Sequence, residues 1–200
     1  STLFPYTTLF RSYQKERVVL LTAHRRENYG EPFQNIMDAV RMVAEKEPDV
    51  RFVYPVHLSP YVQQMARDNL GDVPNVDLVE PLGVMDMHNL MERATLVMTD
   101  SGGIQEEAPS LGKPVLVLRR ETERPEAVEA GTVRMAGVEA KEIAEKALKL
   151  LNDPEEYSKM ARAVNPYGDG EACRRIADAI LYAFGKANQP PEDFTPGTEE

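Results

Sequence analysis

The sequence predicts an α/β fold built on a parallel, doubly wound sheet, and three observations predict it. Apolar runs of strand length alternate with amphipathic stretches of helix length along the chain. Helix punctuation falls between them, with proline at starts and glycine at ends. The charged and glycine-rich loops follow the carboxyl ends of the expected strands, where such sheets hold their ligands.

The elements follow in order. Residues 18–23 form a strongly apolar run, read as the first strand, and end in His24-Arg25-Arg26-Glu27-Asn28. Phe33, Ile36, Met37, Val40, Val43 and Ala44 recur at helical spacing. Residues 50–56 are a second strand whose ladder is expected to stop at Pro55. Ser59-Pro60 reads as an N-cap and a first-turn proline for a helix reaching about Leu70. Residues 76–79 are a third strand, and Asp86 opens a short helix through Arg93. Residues 96–99 and 115–118 are the fourth and fifth strands. Arg124-Pro125-Glu126 starts a helix that Gly131 ends, and residues 133–136 are a sixth strand. Ile143, Ala147, Leu150 and Leu151 mark an amphipathic helix, and Asp153-Pro154 caps the next one. After the turn at 165–170, Ile176, Ala177, Ile180, Leu181 and Phe184 share one face of a closing helix.

The stretch TDSGGIQEEAPSLGKPVLVLR, residues 99–119, organises the chain. It reads as strand, glycine turn, helix, turn, strand. Gly102-Gly103 is expected to turn the backbone tightly and to let it approach a ligand with no Cβ in the way. Ile104, Ala108 and Leu111 are expected on one helix face, with Gly112 as the stop. A helix start beside a serine and two glycines is suited to an anion, best a phosphate. Three readings compete for this stretch: a protease-like nucleophile loop, disfavoured by its strand-to-helix context; a tight connection with no further role; and a nucleotide-phosphate site. Glu107 lies one turn into the helix, where it is placed either to accept from a ribose diol or simply to complement the helix dipole.

Among the other polar groups, His24, Arg25 and Arg26 sit at a strand end and suit a pyrophosphate, with arginine giving forked bonds. Arg119 and Arg124 follow the strand beside the glycine turn, where phosphate contacts and ion pairs with Glu121 or Glu123 are equal alternatives. His57 and His88 read as structural or surface groups. The three histidines are scattered and Cys173 is the single cysteine, so no metal-ligand spacing is seen and no disulfide framework is implied.

Composition bounds the rest. The chain has 200 residues, 42% of them hydrophobic, which suits one domain with a core. A net charge of −10 argues against nonspecific binding to nucleic acid or to anionic membranes. The apolar runs are too short to span a bilayer, and the lone cysteine fits a reducing, cytoplasmic compartment. Residues 1–12 (STLFPYTTLFRS) read as a non-native leader, 13–185 as the domain, and 186–200 as a disordered acidic and proline-rich tail.

Five motifs carry a family resemblance: TAHRREN at 22–28, YPVHLSP at 54–60, the organising stretch at 99–119, TERPEAVEAGT at 122–132, and NPYGDG at 165–170. In this order they closely resemble the bacterial non-hydrolysing UDP-N-acetylglucosamine 2-epimerases, over about residues 15–184. The resemblance implies a Rossmann-like sheet forming one half of a GT-B-like two-domain fold. It implies interconversion of UDP-N-acetylglucosamine and UDP-N-acetylmannosamine by elimination of UDP to 2-acetamidoglucal and re-addition, with no cofactor or metal, for envelope polysaccharide synthesis. By motif position it puts the diphosphate on Ser101 and Gly102, with Gly103 allowing close approach. It puts the ribose on Glu107, the departing UDP beside His24, and the nucleotide-sugar beside Arg124. Leu82 and Met87 fall around the uracil, with Met87 where the family usually has an aromatic ring. Arg25 and His57 match contributors to a second, activating nucleotide site. The amino-terminal domain that supplies the family's principal acid/base carboxylates is missing, so this half is expected not to turn over alone. A homodimer is implied for the full-length protein. A UDP-sugar-binding domain of a GT-B glycosyltransferase and a non-catalytic UDP-sugar-binding module are the rival readings.

Overall fold

The computed structural model describes Tyr13 and residues 16–194. The expected leader at 1–12 and the last six residues of the expected tail lie outside the described residues. Six strands form one sheet: β1 (Arg17–Thr22), β2 (Val50–Pro55), β3 (Val76–Val79), β4 (Leu96–Thr99), β5 (Val115–Val117) and β6 (Val133–Met135). The helices are α1 (Glu31–Lys46), α2 (Pro60–Leu70), α3 (Val84–Arg93), α4 (Gly102–Ser110), α5 (Pro125–Ala130), α6 (Ala140–Asn152), α7 (Pro154–Ala161) and α8 (Ala172–Ala183), with a short 3₁₀ turn at Arg26–Asn28.

The strand order is β3-β2-β1-β4-β5-β6 and every pairing is parallel. This is the doubly wound order whose direction reverses between β1 and β4. The apolar runs are continuous because both faces of the sheet are covered. Side chains alternate across it with period two. Val19 and Leu21 join Phe52, Tyr54, Leu96 and Met98 in the core under α1, α2 and α6. Val18 and Leu20 join Val97, Val115 and Val117 in the other core, with Leu90, Met91 and Ala108 from α3 and α4. Each buried Val, Leu, Met or Phe among them contributes about 1.5–3 kcal/mol. Tyr13 is buried in this second core and its hydroxyl donates to Asp77 Oδ2 at 2.8 Å, tying the start of the described chain to β3.

The β2–β3 ladder does stop at Pro55, the last residue of β2, which stands opposite Val79 and is closed by the Val56 N–H donating to the Val79 carbonyl at 2.9 Å. Other local expectations need correction. Ser59 occupies the N-cap of α2, yet its hydroxyl caps nothing and instead meets the Tyr29 hydroxyl at 3.2 Å. Helix α3 starts two residues before Asp86, because the Gly83 carbonyl already accepts from the Met87 N–H. Asp86 then sits in the first turn and complements the dipole. Asp153 caps α7 as read, accepting from the N–H groups of Glu155 and Glu156.

Glu156 on α7 binds Arg134 of β6, Lys149 of α6 and Lys159 of its own helix. Hydrogen bonds from Lys159, Arg134 and Lys149 hold its carboxyl down at about 2, from an ordinary 4.5. A carboxylate held below its unfolded value stabilises the fold above that value and loses the contribution as pH falls through the folded one. Glu156→Gln is therefore expected to melt below the wild type at neutral pH, with the gap closing as the pH is lowered from 4.5 to about 2. Melting curves across that range test it; a gap that does not close would show that Glu156 acts by packing instead.

Helix α8 buries none of its residues, and Ile176, Ile180, Leu181 and Phe184 on it are exposed. Residues 186–194 carry no helix or strand.

Candidate functional site

The site is built where the sheet reverses. Thr22 and Thr99 end β1 and β4 side by side, and their hydroxyls meet at 2.6 Å. The next residue, Asp100, is fully buried and organises everything after β1. Its Oδ2 accepts from the backbone N–H groups of His24 and Arg25, each at 2.8 Å, and from Asn28 Nδ2 at 3.3 Å. Asn28 Nδ2 also donates to the Leu118 carbonyl at 3.0 Å, so the loop is fastened to the ends of both β4 and β5. Tyr54, wholly buried on β2, donates its hydroxyl to the Ala23 carbonyl at 2.5 Å from the other side.

Helix α4 begins at the same edge. Ser101 is its N-cap residue, with extended backbone and a side chain that makes no cap hydrogen bond. Gly102 and Gly103 do not have positive φ, and the chain turns into α4 with ordinary helical backbone. Their lack of a side chain matters for space instead. A Cβ on Gly102 would lie 3.6 Å from Arg124 Nη2 and 3.8 Å from Arg25 Nη2. Two guanidinium groups thus converge on the free N–H groups of a helix start, which is a setting for a polyanion. The buried face of α4 is Gly102, Gln105, Ala108 and Pro109, while Leu111, expected on that face, is 39% exposed. Gln105 is tolerated in the interior because its amide is paired at both ends. It donates to the Ser101 carbonyl at 3.1 Å and accepts from the Thr122 hydroxyl at 2.7 Å. Thr122 in turn accepts from the Arg124 N–H, and so sets the loop that carries Arg124.

The two arginines after β5 separate in role. Arg119 is buried and pairs with Glu27 at 2.5 Å and Glu123 at 3.4 Å, which makes it a clamp between two loops. Arg124 pairs with Glu106 through Nε and presents Nη2 at the helix start. Glu107 extends back along α4, with Oε1 3.5 Å from where a Gly103 Cβ would be, and its Oε2 meets His88 Nε2 at 2.9 Å. His57, read as structural, stacks on His24 with ring centroids 5.3 Å apart and planes within 8°. Arg25 and His57 therefore stand in one cluster with His24. Burial lowers the His24 pKa, His57 and Arg25 push it the same way, and Asp100 opposes them. Leu82 and Met87 are half-buried against the second core, as are Ile104 and Tyr167.

Sequence reasoning missed Asp100, Asn28 and Gln105 as organisers and the His88–Glu107 contact. Asp100 alone had a visible signal, an acid placed directly between a strand end and Ser-Gly-Gly. Among the described residues no group of three or more His, Cys, Asp or Glu is gathered as a metal would need, and no helix is long and apolar enough to cross a membrane.

The strand order and the cationic helix start at its reversal put the chain in the class of Rossmann-type α/β domains. The sequence profile described as UDP-N-acetylglucosamine 2-epimerase matches residues 5–181. The chain belongs to the UDP-N-acetylglucosamine 2-epimerase family. It is 53% identical over 181 residues to the UDP-N-acetylglucosamine 2-epimerase of Bacillus subtilis, covering 90% of this chain and 48% of that protein. The structure of S. aureus MnaA with UDP superposes with a TM-score of 0.90 at 45% identity, over 94% of this chain and 52% of that one. That of the Neisseria meningitidis UDP-GlcNAc 2-epimerase bound to UDP-GlcNAc gives 0.85 at 48% identity, over 88% and 48%. The chain spans about half the length of the relatives it matches.

Proposed function

We propose that this chain is the UDP-binding half of an enzyme that interconverts UDP-N-acetylglucosamine and UDP-N-acetylmannosamine by eliminating UDP and adding it back. The observation that carries the proposal is the convergence of Arg25 and Arg124 on the α4 start at Gly102. Departing UDP develops negative charge on its terminal phosphate. Preorganised N–H groups and guanidinium groups stabilise such charge where it forms. Ser101 and Gly102 hold the diphosphate, Glu107 accepts from the ribose hydroxyls, and Leu82 and Met87 flank the uracil. His24 faces the departing phosphate, and Arg25 and His57 extend the cationic edge toward a second nucleotide. No nicotinamide or metal takes part in elimination and re-addition of this kind.

The carboxylates at the site are engaged: Glu106 by Arg124, Glu107 by His88 and Asp100 by the His24 loop. Moving the sugar's C2 proton falls to carboxylates of a second domain, and the chain alone does not turn over. The bare apolar face of α8 supports further polypeptide packing there. A cytoplasmic homodimer of the complete protein is part of the same reading.

Calorimetric titration of UDP into the chain tests it, with Ser101→Ala and Glu107→Ala beside the wild type. Each variant is expected to lose about tenfold in affinity, or ~1.4 kcal/mol. Binding unchanged in both variants would remove the nucleotide from this edge. His88→Ala, which frees Glu107, is expected to change UDP affinity by less than Glu107→Ala does.

A further inference from the structure

The Asp100 carboxylate has one oxygen committed and one not. Oδ2 takes three donors, while Oδ1 is buried with no hydrogen-bond partner among the described residues. Oδ1 lies 3.5 Å from His24 Nδ1, too far for a hydrogen bond and close enough for one after a small ring movement. We propose that Asp100 is the positioning residue for His24, and that Oδ1 receives the Nδ1–H of a protonated His24 when a nucleoside diphosphate occupies the α4 start. Binding then takes up a proton at this pair. The inference rests on the nucleotide reading and deepens it by saying how His24 gains the charge that a departing phosphate needs.

The groups facing His24 come from three elements. Asp100 approaches from the end of β4, His57 stacks from the loop after β2, and Arg25 adjoins it on its own loop. In the free chain burial, His57 and Arg25 all favour the neutral ring, and only Asp100 favours the cation. A diphosphate at Gly102 adds negative charge to this cluster and neutralises Arg25, whose Nη2 reaches that helix start. Both changes favour protonation. The proton comes from solvent and resides on the imidazole, with Nδ1–H directed at Oδ1. The opposite ring nitrogen is then left to donate to the phosphate. A buried carboxylate oxygen left unpaired is costly, so the bond to Oδ1 contributes to the affinity of the liganded state.

The chain holds three histidines, so imidazole NMR resolves each one, and single substitutions assign them. In the free full chain, Asp100→Asn is expected to lower the His24 midpoint and leave that of His88 in place. An unchanged His24 midpoint would overturn the positioning role without reference to any ligand. Saturating UDP is expected to raise the His24 midpoint in the wild type, and by less than half as much in Asp100→Asn. Should the variant not fold, the wild type still decides the question through its nitrogen shifts. With UDP bound near neutral pH, His24 Nδ1 is expected to carry a proton, and an unprotonated Nδ1 would overturn the proposal. If UDP moves neither His24 nor His57 in a folded wild-type chain, the nucleotide reading fails and takes the ligand-coupled step with it. The free-chain titration still judges the role of Asp100.

Discussion

Gly102→Leu is expected to abolish measurable UDP binding and to leave the fold intact. Gly102 is buried, but its φ is not in the left-handed region, so the backbone does not require glycine. Nor does close packing within the chain require it. The nearest atoms to an added Cβ are guanidinium nitrogens at 3.6 and 3.8 Å, ordinary contact distances and flexible side-chain ends. Alanine therefore fits the free chain. In a helix interior it would gain about 0.5–1 kcal/mol over glycine, and at a first position somewhat less. What the missing side chain leaves open is the volume between Arg25, Arg124 and the helix N–H groups. A diphosphate needs that volume, and leucine fills it. Gly102→Ala is expected to melt at or slightly above the wild type with affinity reduced about tenfold, or ~1.4 kcal/mol. Gly102→Leu is expected to lose more than about a hundredfold, or ~2.7 kcal/mol. Melting curves separate fold from site, and calorimetry reads the affinity. Wild-type affinity in Gly102→Leu would place the diphosphate elsewhere.

This glycine shows what the sequence makes legible. Its position after a strand and before a helix, in Ser-Gly-Gly, was enough to expect close approach of a ligand. The same letters also suggested a tight turn, which the structure makes as ordinary helical entry with no positive φ. The strands were legible because both sheet faces are covered, which leaves unbroken apolar runs such as 18–21. Caps that close within three residues, like Asp153 on Glu155 and Glu156, were legible too. Contacts set by the sheet order were not. Asn28 reaches Asp100 and Leu118 across 72 and 90 residues, Gln105 reaches Thr122 across 17, and His88 reaches Glu107 across 19. No periodicity encodes those separations, since they exist only once β1, β4 and β5 lie side by side. Leu111 was misplaced for a related reason. The apolar residues of α4 suggested one face, while a satisfied glutamine and small residues let the helix seat on another. The apolar stripe of α8 was readable, but what covers it is not written in the pattern.

Asp100→Ala is expected to be the most destabilising polar substitution at the site, at about 3 kcal/mol. Two effects oppose each other. Deleting a buried carboxylate removes a charge that was costly to desolvate. It also strands the donors that the carboxylate had gathered: the N–H groups of His24 and Arg25 and one bond from Asn28. The second effect wins, because the first was already offset by those three donors. Stranded buried donors cost about 1–3 kcal/mol each, with the lower end applying where water can reach. Asn28 keeps its bond to the Leu118 carbonyl, and the two backbone bonds are only part-buried, which holds the sum near the low end. For a chain of this size ~3 kcal/mol lowers the Tm by about 6–12 °C. Asp100→Asn keeps one acceptor oxygen for the same donors, so its Tm is expected to fall by less than half of that. The comparison separates geometry from charge. If alanine and asparagine melt together, the carboxylate matters for its charge and not for the donors it collects. If alanine melts with the wild type, the His24 loop is held by Tyr54 on the Ala23 carbonyl and by the Arg119–Glu27 pair, and Asp100 is free to serve the histidine alone.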